Sequence, residues 1–339
     1  MTKASKPKEL IQVPGAPDIP GLTFRRFRGE PDYALMADII VRTNQADNIE
    51  EVFTEADLAN MFAHLTNCDP YQDMLFAEIH GELIGYSRVW WREESEGPYI
   101  YTAVGLLLPD WRRQGIGTAM LLYNEARMRE IAAQHPTEAE KFLQSWAADT
   151  EVAVDALLKN QGYKAMRYIF DMHRSLEEPL PEPEIPDGLD VRPVRPEHYR
   201  LIWDAMSEAF RDHWGHAPST EEDYQRWINK PDFDPSLWQV AWEGDQVAGM
   251  VLTFINKKEN QQYQIKRGWT DPICTRRPWR KRGLARALIL KSFQELKALG
   301  MEQAALGVDT QNPNGALKLY ESVGFETVKN WAVYRKPLS

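Results

Sequence analysis

Residues 278–285 read Pro278-Trp279-Arg280-Lys281-Arg282-Gly283-Leu284-Ala285, and residues 109–117 read Pro109-Asp110-Trp111-Arg112-Arg113-Gln114-Gly115-Ile116-Gly117. Gly283 lies 168 positions after Gly115, so one local pattern occurs twice in a chain of 339 residues. Each copy follows a β-rich apolar run, 269–275 or 99–108, and opens a segment with helical periodicity. In the second copy Leu284, Leu288, Leu296 and Leu299 fall on one helical face, and Gly300 is a stop signal. A strand that runs into small residues and then a helix leaves the first N–H groups of that helix without intrahelical acceptors, at the positive end of its dipole. Such a loop is an anion cradle, and Arg280, Lys281 and Arg282 add positive charge beside it.

Outward from the two loops the repeat continues. Residues 22–28 and 189–194 read as first strands, followed by helical segments at 33–42 and 199–210. Residues 74–91 and 237–254 each give two apolar runs around a polar glycine turn, His80-Gly81-Glu82 and Glu243-Gly244-Asp245, the pattern of a hairpin. Beyond each cradle helix the sequence predicts a strand, a helix and a hairpin-like segment starting at Gly162-Tyr163 or Gly324-Phe325. Residues 176–188, Leu-Glu-Glu-Pro-Leu-Pro-Glu-Pro-Glu-Ile-Pro-Asp-Gly, are proline-dense and acidic and read as an extended linker. The expected organisation is a tail over 1–20, a domain over 21–176, the linker over 177–188 and a second domain over 189–339.

Composition narrows the function classes. Hydrophobic residues make up 43% and charged residues 27%, close to the averages of folded globular proteins. A net charge of −10 argues against a general nucleic-acid surface. No apolar run approaches the roughly 20 residues of a membrane span, and residues 1–20 lack the apolar middle of a signal peptide, so a cytoplasmic protein without membrane attachment is expected. Two cysteines, Cys68 and Cys274, rule out a disulfide framework and a four-cysteine zinc site. Asp212, His213 and His216 have no third partner at a metal-ligand spacing, and no metal is expected.

The cradle alone fits several chemistries. A phosphate-binding P-loop needs Gly-Lys-Ser/Thr at its end, which neither copy has, and a dinucleotide fingerprint would want a third glycine at Met120 and a position after the first strand rather than about the fourth. Some 30 residues on, the second copy reads Asn312-Pro313-Asn314-Gly315-Ala316-Leu317-Lys318-Leu319-Tyr320-Glu321-Ser322-Val323-Gly324-Phe325. Arg-x-x-Gly-x-Ala joined to Asn-x-x-x-Ala-x-x-Leu-Tyr-x-x-x-Gly-Phe resembles the GNAT acetyltransferase superfamily over nearly the whole second half. The tandem arrangement, with the fuller motif second, is similar to that of the bacterial mycothiol synthases.

That resemblance implies a mixed α/β (α+β) fold of two tandem GNAT-like domains, each a splayed, mostly antiparallel central sheet with helices on both faces. It implies that Arg280, Lys281, Arg282, Gly283, Leu284 and Ala285 hold the pyrophosphate of acetyl-CoA, that Ile273, Cys274 and Thr275 pair with pantetheine, and that Asn312 lies by the pantetheine arm. Arg112, Arg113, Gln114, Gly115, Ile116 and Gly117 would form the equivalent loop of the first copy. Tyr320 would protonate the leaving thiolate. Attack requires a neutral amine, while an alkylammonium with a pKa of about 10.4 is mostly protonated at neutral pH, so a base is needed. Asp271 is the first choice, because alternate residues of its strand face the acceptor cleft. Glu208, His213, Trp214 and His216 fall where the family's acceptor-binding helices and loop lie. Counting back from Gly162 as from Gly324 to Tyr320 lands on Leu158, and the Asn-Pro-x-Gly opening of the helix is also missing, so the first copy is expected to be catalytically silent. The expected reaction is transfer of an acetyl group to a primary amine of a small molecule, in a monomer or homodimer. A protein N-acetyltransferase and a non-enzymatic acyl-CoA-binding sensor are the alternatives.

Overall fold

The computed structural model describes residues 10–95 and 97–338, so residues 1–9 of the expected tail lie outside the described residues. The first half of the chain runs β1 (Leu22–Arg25), α1 (Tyr33–Ala46), α2 (Glu55–Ala63), α3 (Pro70–Asp73), β2 (Met74–Ile79), β3 (Glu82–Glu93), β4 (Tyr99–Leu107), α4 (Ile116–Ala132), β5 (Lys141–Ala148), α5 (Val152–Asn160) and β6 (Lys164–Ser175). The second runs β7 (Asp190–Val191), α6 (Tyr199–Ala209), α7 (Glu221–Ile228), β8 (Gln239–Glu243), β9 (Gln246–Phe254), α8 (Lys257–Tyr263), β10 (Arg267–Thr275), α9 (Leu284–Ala298), β11 (Gln303–Asp309), α10 (Ala316–Ser322) and β12 (Glu326–Pro337).

The final segment of each half is one long strand, not a hairpin. Neither 164–175 nor 326–337 contains a Gly-based turn, so nothing stops the strand halfway. These two strands also decide how the chain divides. One compact unit is Met1–Met166 with Ala332–Ser339, and the other is Arg167–Trp331. The division therefore falls inside β6 and β12 and differs from the boundary expected at 177–188. Within the second unit that proline-rich segment is packed, with Leu180 and Ile185 against the core built on α9. Sequence order places 167–175 in the first repeat, yet β6 pairs antiparallel with β11 from Gln303↔Ser175 to Asp309↔Ile169.

In the first unit the strand order is β1-β2-β3-β4-β5, with β12 beside β5. Ala332 and Tyr334 join Met128, Leu143 and Leu158 in its core. The residues just before β1 are anchored: Leu10 bridges to Arg25, Ile11 N–H donates to Phe24 O at 2.9 Å, and Val13 is buried with Ile116 and Ala119 of α4. Arg25 is fully buried, and Asp32 (2.8 and 2.9 Å) and Glu78 satisfy it, as a charge removed from water requires.

In the second unit the order is β7-β8-β9-β10-β11-β6. Its helix α9 buries Leu284, Ala287, Leu288, Phe293 and Leu296, an i, i+3, i+4 stripe, and each fully buried Leu or Phe is worth about 1.5–3 kcal/mol. Leu299 differs from expectation: it caps the helix and is 47% exposed, while Gly300 at φ +80° ends the helix as anticipated. The helix sits close on the sheet because Gly268 has no side chain; a Cβ there would lie 2.2 Å from Leu296 Cδ2.

Each sheet is antiparallel except for one parallel pair, and each opens there. β4 and β5 pair from Tyr99↔Lys141 to Thr102↔Gln144, yet both strands run on beyond the last pair. β10 and β11 pair from Arg267↔Gln303 only to Trp269↔Ala305, and likewise run on to Thr275 and Asp309. Both units are thus splayed between their fourth and fifth strands, as expected. Past the last pair, the edges of β4 and β10 that face the gap have no strand partner among the described residues, so an extended ligand can take their hydrogen bonds.

Candidate active site

The two cradles share one backbone. Arg112 and Arg280 are extended (φ −73°, ψ 160° and φ −66°, ψ 157°), Arg113 and Lys281 are left-handed (φ 62° and 61°), and Gly115 and Gly283 are left-handed N-caps (φ 90° and 85°). Ala119 N–H donates to Gly115 O and Ala287 N–H to Gly283 O, so the amides from each glycine to the next two helical residues precede the first intrahelical bond. In the second unit this puts Gly283, Leu284 and Ala285 at an anion-binding helix start, with Leu284 also locked in the core.

The arginine of each motif is occupied in holding the loop. Arg280 Nε donates to Thr275 O (3.0 Å) and its Nη1 to Asp212 (2.7 Å) and Asn314 Oδ1 (3.3 Å). Arg112 repeats this with Leu107 O (2.9 Å) and Asp47 (2.6 and 2.7 Å). Asp212, which also pairs with Arg277, is held far below the usual carboxylate range by Arg277 and Arg280. Asp47 and Asp212, which anchor the two loops, are marked in the sequence only by their matched places after the first helix of each repeat. Arg282 and Lys281 are exposed, and Arg282 donates to Asp187 O at 2.9 Å. Gln114 spends its amide on Asp110 O within its own loop, and Ile116 is core.

The cradles differ in what faces them. A Cβ on Gly283 would meet nothing within 4 Å, whereas one on Gly115 would lie 3.7 Å from Pro17, which belongs to the segment anchored ahead of β1. The splays differ more. In the second unit Ile273, Cys274 and Thr275 end β10, with the Cys274 thiol pushed up to about 12 by burial and the Thr275 hydroxyl buried without a hydrogen-bond partner among the described residues. Asp271 lies two residues before Ile273, where the pairing with β9 slips between Thr270 and Ile273; the Asp271–Pro272 peptide is cis.

Asp271 is half-buried, and burial raises its carboxyl to about 6, opposed by Lys230 and reinforced by Asp171. Tyr320, on α10, is 7% exposed and packs on Phe325; burial first, then the charge of Asp271, raises its phenol well above 10. A carboxylate and a phenol that sense one another therefore stand at one splay, the carboxylate poised near neutrality and the phenol kept protonated. At the offset of 168 the first unit has Ala103 for Asp271, and counting back from Gly162 as from Gly324 gives Leu158 for Tyr320, both buried and apolar. It has a cradle and a splay but neither titratable group.

The remaining expected residues are spread around this splay. His213 packs on Phe210 and His216 follows it, both lowered by burial, and Trp214 is 38% exposed beneath the Arg167 guanidinium (5.3 Å). Arg167 is in turn clamped by Asp309 (2.6 and 2.8 Å). Glu208 is held by Arg276 (2.7 Å) at the start of the cradle loop, so it braces the loop. Asn312 accepts the Asn314 N–H at 2.8 Å and shapes the turn into α10, which Gly315 begins at φ +74°. Among the described residues no group of three or more His, Cys, Asp or Glu is assembled for a metal, and no helix is long and apolar enough to cross a membrane.

A sheet splayed at its one parallel pair, with a glycine cradle at the start of the following helix, occurs in both units. The chain belongs to the acetyltransferase (GNAT) family, whose model matches residues 36–163 and 199–325, and it is an acetyltransferase. Among curated relatives it is 29% identical over 285 residues to a mycothiol acetyltransferase of Geodermatophilus obscurus, covering 83% of this chain and 86% of the relative. It is 26% identical over 316 residues to the mycothiol acetyltransferase of Salinispora tropica, covering 87% and 95%. Among solved structures, a GCN5-related N-acetyltransferase from Sphaerobacter thermophilus superposes with a TM-score of 0.70 at 26% identity, covering 95% of this chain and 96% of that one. A tandem GNAT protein from the clavulanic acid biosynthesis pathway shares the fold, with a TM-score of 0.67 at 13% identity and coverage of 93% and 98%.

Proposed function

We propose that the second unit transfers the acetyl group of acetyl-CoA to a primary amine of a small molecule, by direct attack and without a covalent enzyme intermediate. The observation that carries this reading is the joint presence, at one splay, of Asp271 poised near neutrality, Tyr320 kept protonated, and an unobstructed cradle at Gly283. The pyrophosphate lies on the amides of Gly283 to Ala285 with Lys281 and Arg282 alongside, and pantetheine takes the unpaired edge of β10 at Ile273, Cys274 and Thr275. Asp271 removes the ammonium proton, directly or through water, and the freed lone pair forms the C–N bond to the thioester carbonyl. The C–S bond then breaks and the thiolate takes the Tyr320 proton, the nitrogen, cationic once the C–N bond has formed, gives up its second proton to the phenolate through water, and backbone amides at the end of β10 stabilise the oxyanion.

The small-molecule acceptor is supported by likeness to the mycothiol acetyltransferases over most of the chain. A screen of the full chain with acetyl-CoA against diverse amines, including amino sugars and cysteinyl conjugates, tests the reading by release of free CoA; absence of turnover across the panel, with CoA binding intact, favours the sensor alternative.

Tyr320→Phe keeps the ring that packs on Phe325 and removes only the hydroxyl. The expected result is a fall in kcat of about tenfold or more, the lower end of general-acid assistance because a thiolate leaves readily, with KM for acetyl-CoA nearly unchanged. Parental kcat, measured where chemistry limits the rate, would return Tyr320 to a wall of the cofactor site.

A further inference from the structure

The last parallel pair at the catalytic splay is Trp269↔Ala305, so Asp271 and Gly307 each lie two residues beyond it, at the same height on the two diverging strands. Gly307 is in turn directly opposite Asp171 on β6. Asp271, Gly307 and Asp171 therefore form one row across the sheet, and directly opposed residues present their side chains to the same face. The middle position has no side chain, and a Cβ placed there would meet nothing within 4 Å. The row is two carboxylates flanking an open space. Asp171 is partly exposed, and the Trp331 indole N–H donates to its Oδ2 at 2.7 Å, which orients the carboxylate. That the two carboxylates sense one another is consistent with this placement, since Asp171 is among the charges that raise Asp271.

We infer that Asp171 is a second carboxylate of the acceptor site, and that with Asp271 it selects acceptors arriving as ammonium ions, receiving the cation in the space over Gly307. The inference rests on the acetyl-transfer reading for what happens next: Asp271 takes one proton and Asp171 keeps its charge. Asp171 is a specificity-determining and positioning residue. Two carboxylates around one ammonium give charge-assisted hydrogen bonds to more than one of its protons, which a neutral hydroxyl at the same place cannot match.

The test uses the full chain saturated with CoA and three probe pairs: ethanolamine with ethylene glycol, D-glucosamine with D-glucose, and cysteine methyl ester with methyl 3-mercaptopropionate. Binding is read by ligand-observed NMR. The parent should hold at least one amine about tenfold or more tighter than its neutral counterpart, Asp171→Asn should erase that preference, and Asp171→Glu should keep most of it. Asparagine still accepts from Trp331, so a purely structural role would leave the preference intact.

In turnover with the best amine of the three, Asp171→Asn should raise the amine KM about tenfold or more with kcat and the KM for acetyl-CoA within about threefold. Its acid limb should also move to lower pH, because one negative neighbour of Asp271 is gone while Lys230 and Tyr320 remain. A parent that binds every pair equally, or a variant with unchanged amine KM, overturns the role of Asp171. An ammonium preference without release of CoA from acetyl-CoA would sink the acetyl-transfer reading and leave the carboxylate pair standing.

Discussion

Asp271→Asn is expected to lower kcat/KM for the amine by about 10²–10⁴ at pH 7 while making the protein more stable. Asparagine is close in size and takes the half-buried place at the bulge of β10, but it has no carboxylate to accept a proton. The stability half follows from linkage. Burial raises the folded-state pKa from 3.8 to about 6, so the folded protein binds this proton more tightly than the unfolded chain does. The corresponding stability is fully present below about pH 4 and lost as pH rises through about 6. A side chain that never ionises escapes that loss, which is worth roughly 1–3 kcal/mol at pH 7. Melting at pH 4.5 and 7.5 should therefore show a gap between variant and parent that widens with pH, and the parent's kcat/KM should rise through about pH 6 as the base ionises. A variant with parental activity would remove Asp271 from the chemistry, and a melting gap independent of pH would show that the carboxyl is not held against ionisation.

Gly283→Asp should lower CoA affinity by about a hundredfold or more with little loss of fold. Glycine is at φ +85°, a region that costs most side chains about 1 kcal/mol but that Asp tolerates better than most. The open space around its Cβ position means that nothing has to move to admit the new side chain. What arrives is a carboxylate at a helix start meant for phosphate, exchanging attraction for repulsion in the first turn, where the dipole and free amides act most strongly. Calorimetry with CoA reads the loss directly, and unchanged affinity would remove this loop as the main site. The same change at Gly115 is expected to leave turnover within a few-fold, because the first unit has Ala103 and Leu158 where the second has Asp271 and Tyr320. A collapse of kcat in that variant, with CoA binding intact, would show that the first unit takes part in the reaction.

The motif residues were legible because their work is done by the backbone. A left-handed glycine, a preceding strand and a helix start are local features, so Gly283 and Gly115 could be placed with their neighbours from spacing alone, whereas Tyr320 came only with the resemblance to the GNAT superfamily. The side chains around them were less legible. The resemblance implies a phosphate contact for Arg280, yet its guanidinium is spent on Asp212 and Thr275 O; it implies an acceptor-site place for Glu208, yet Arg276 holds it. The Arg280–Asp212 and Arg276–Glu208 pairings each join residues 68 positions apart and leave no period in the sequence.

What the sequence determined by itself was the repeated pattern of strands and helices, the two cradles and the loss of the phenol at Leu158, since each follows from local conformational preference and spacing. Only the tertiary structure decided where the units end and which residues share the splay. A strand's partners are set by long-range hydrogen bonding rather than by its own residues, and β6, continuous in sequence with the first repeat, finds its partner in β11. That single pairing carries Asp171 into the row with Gly307 and Asp271, a placement that no reading of residues 164–175 alone could supply.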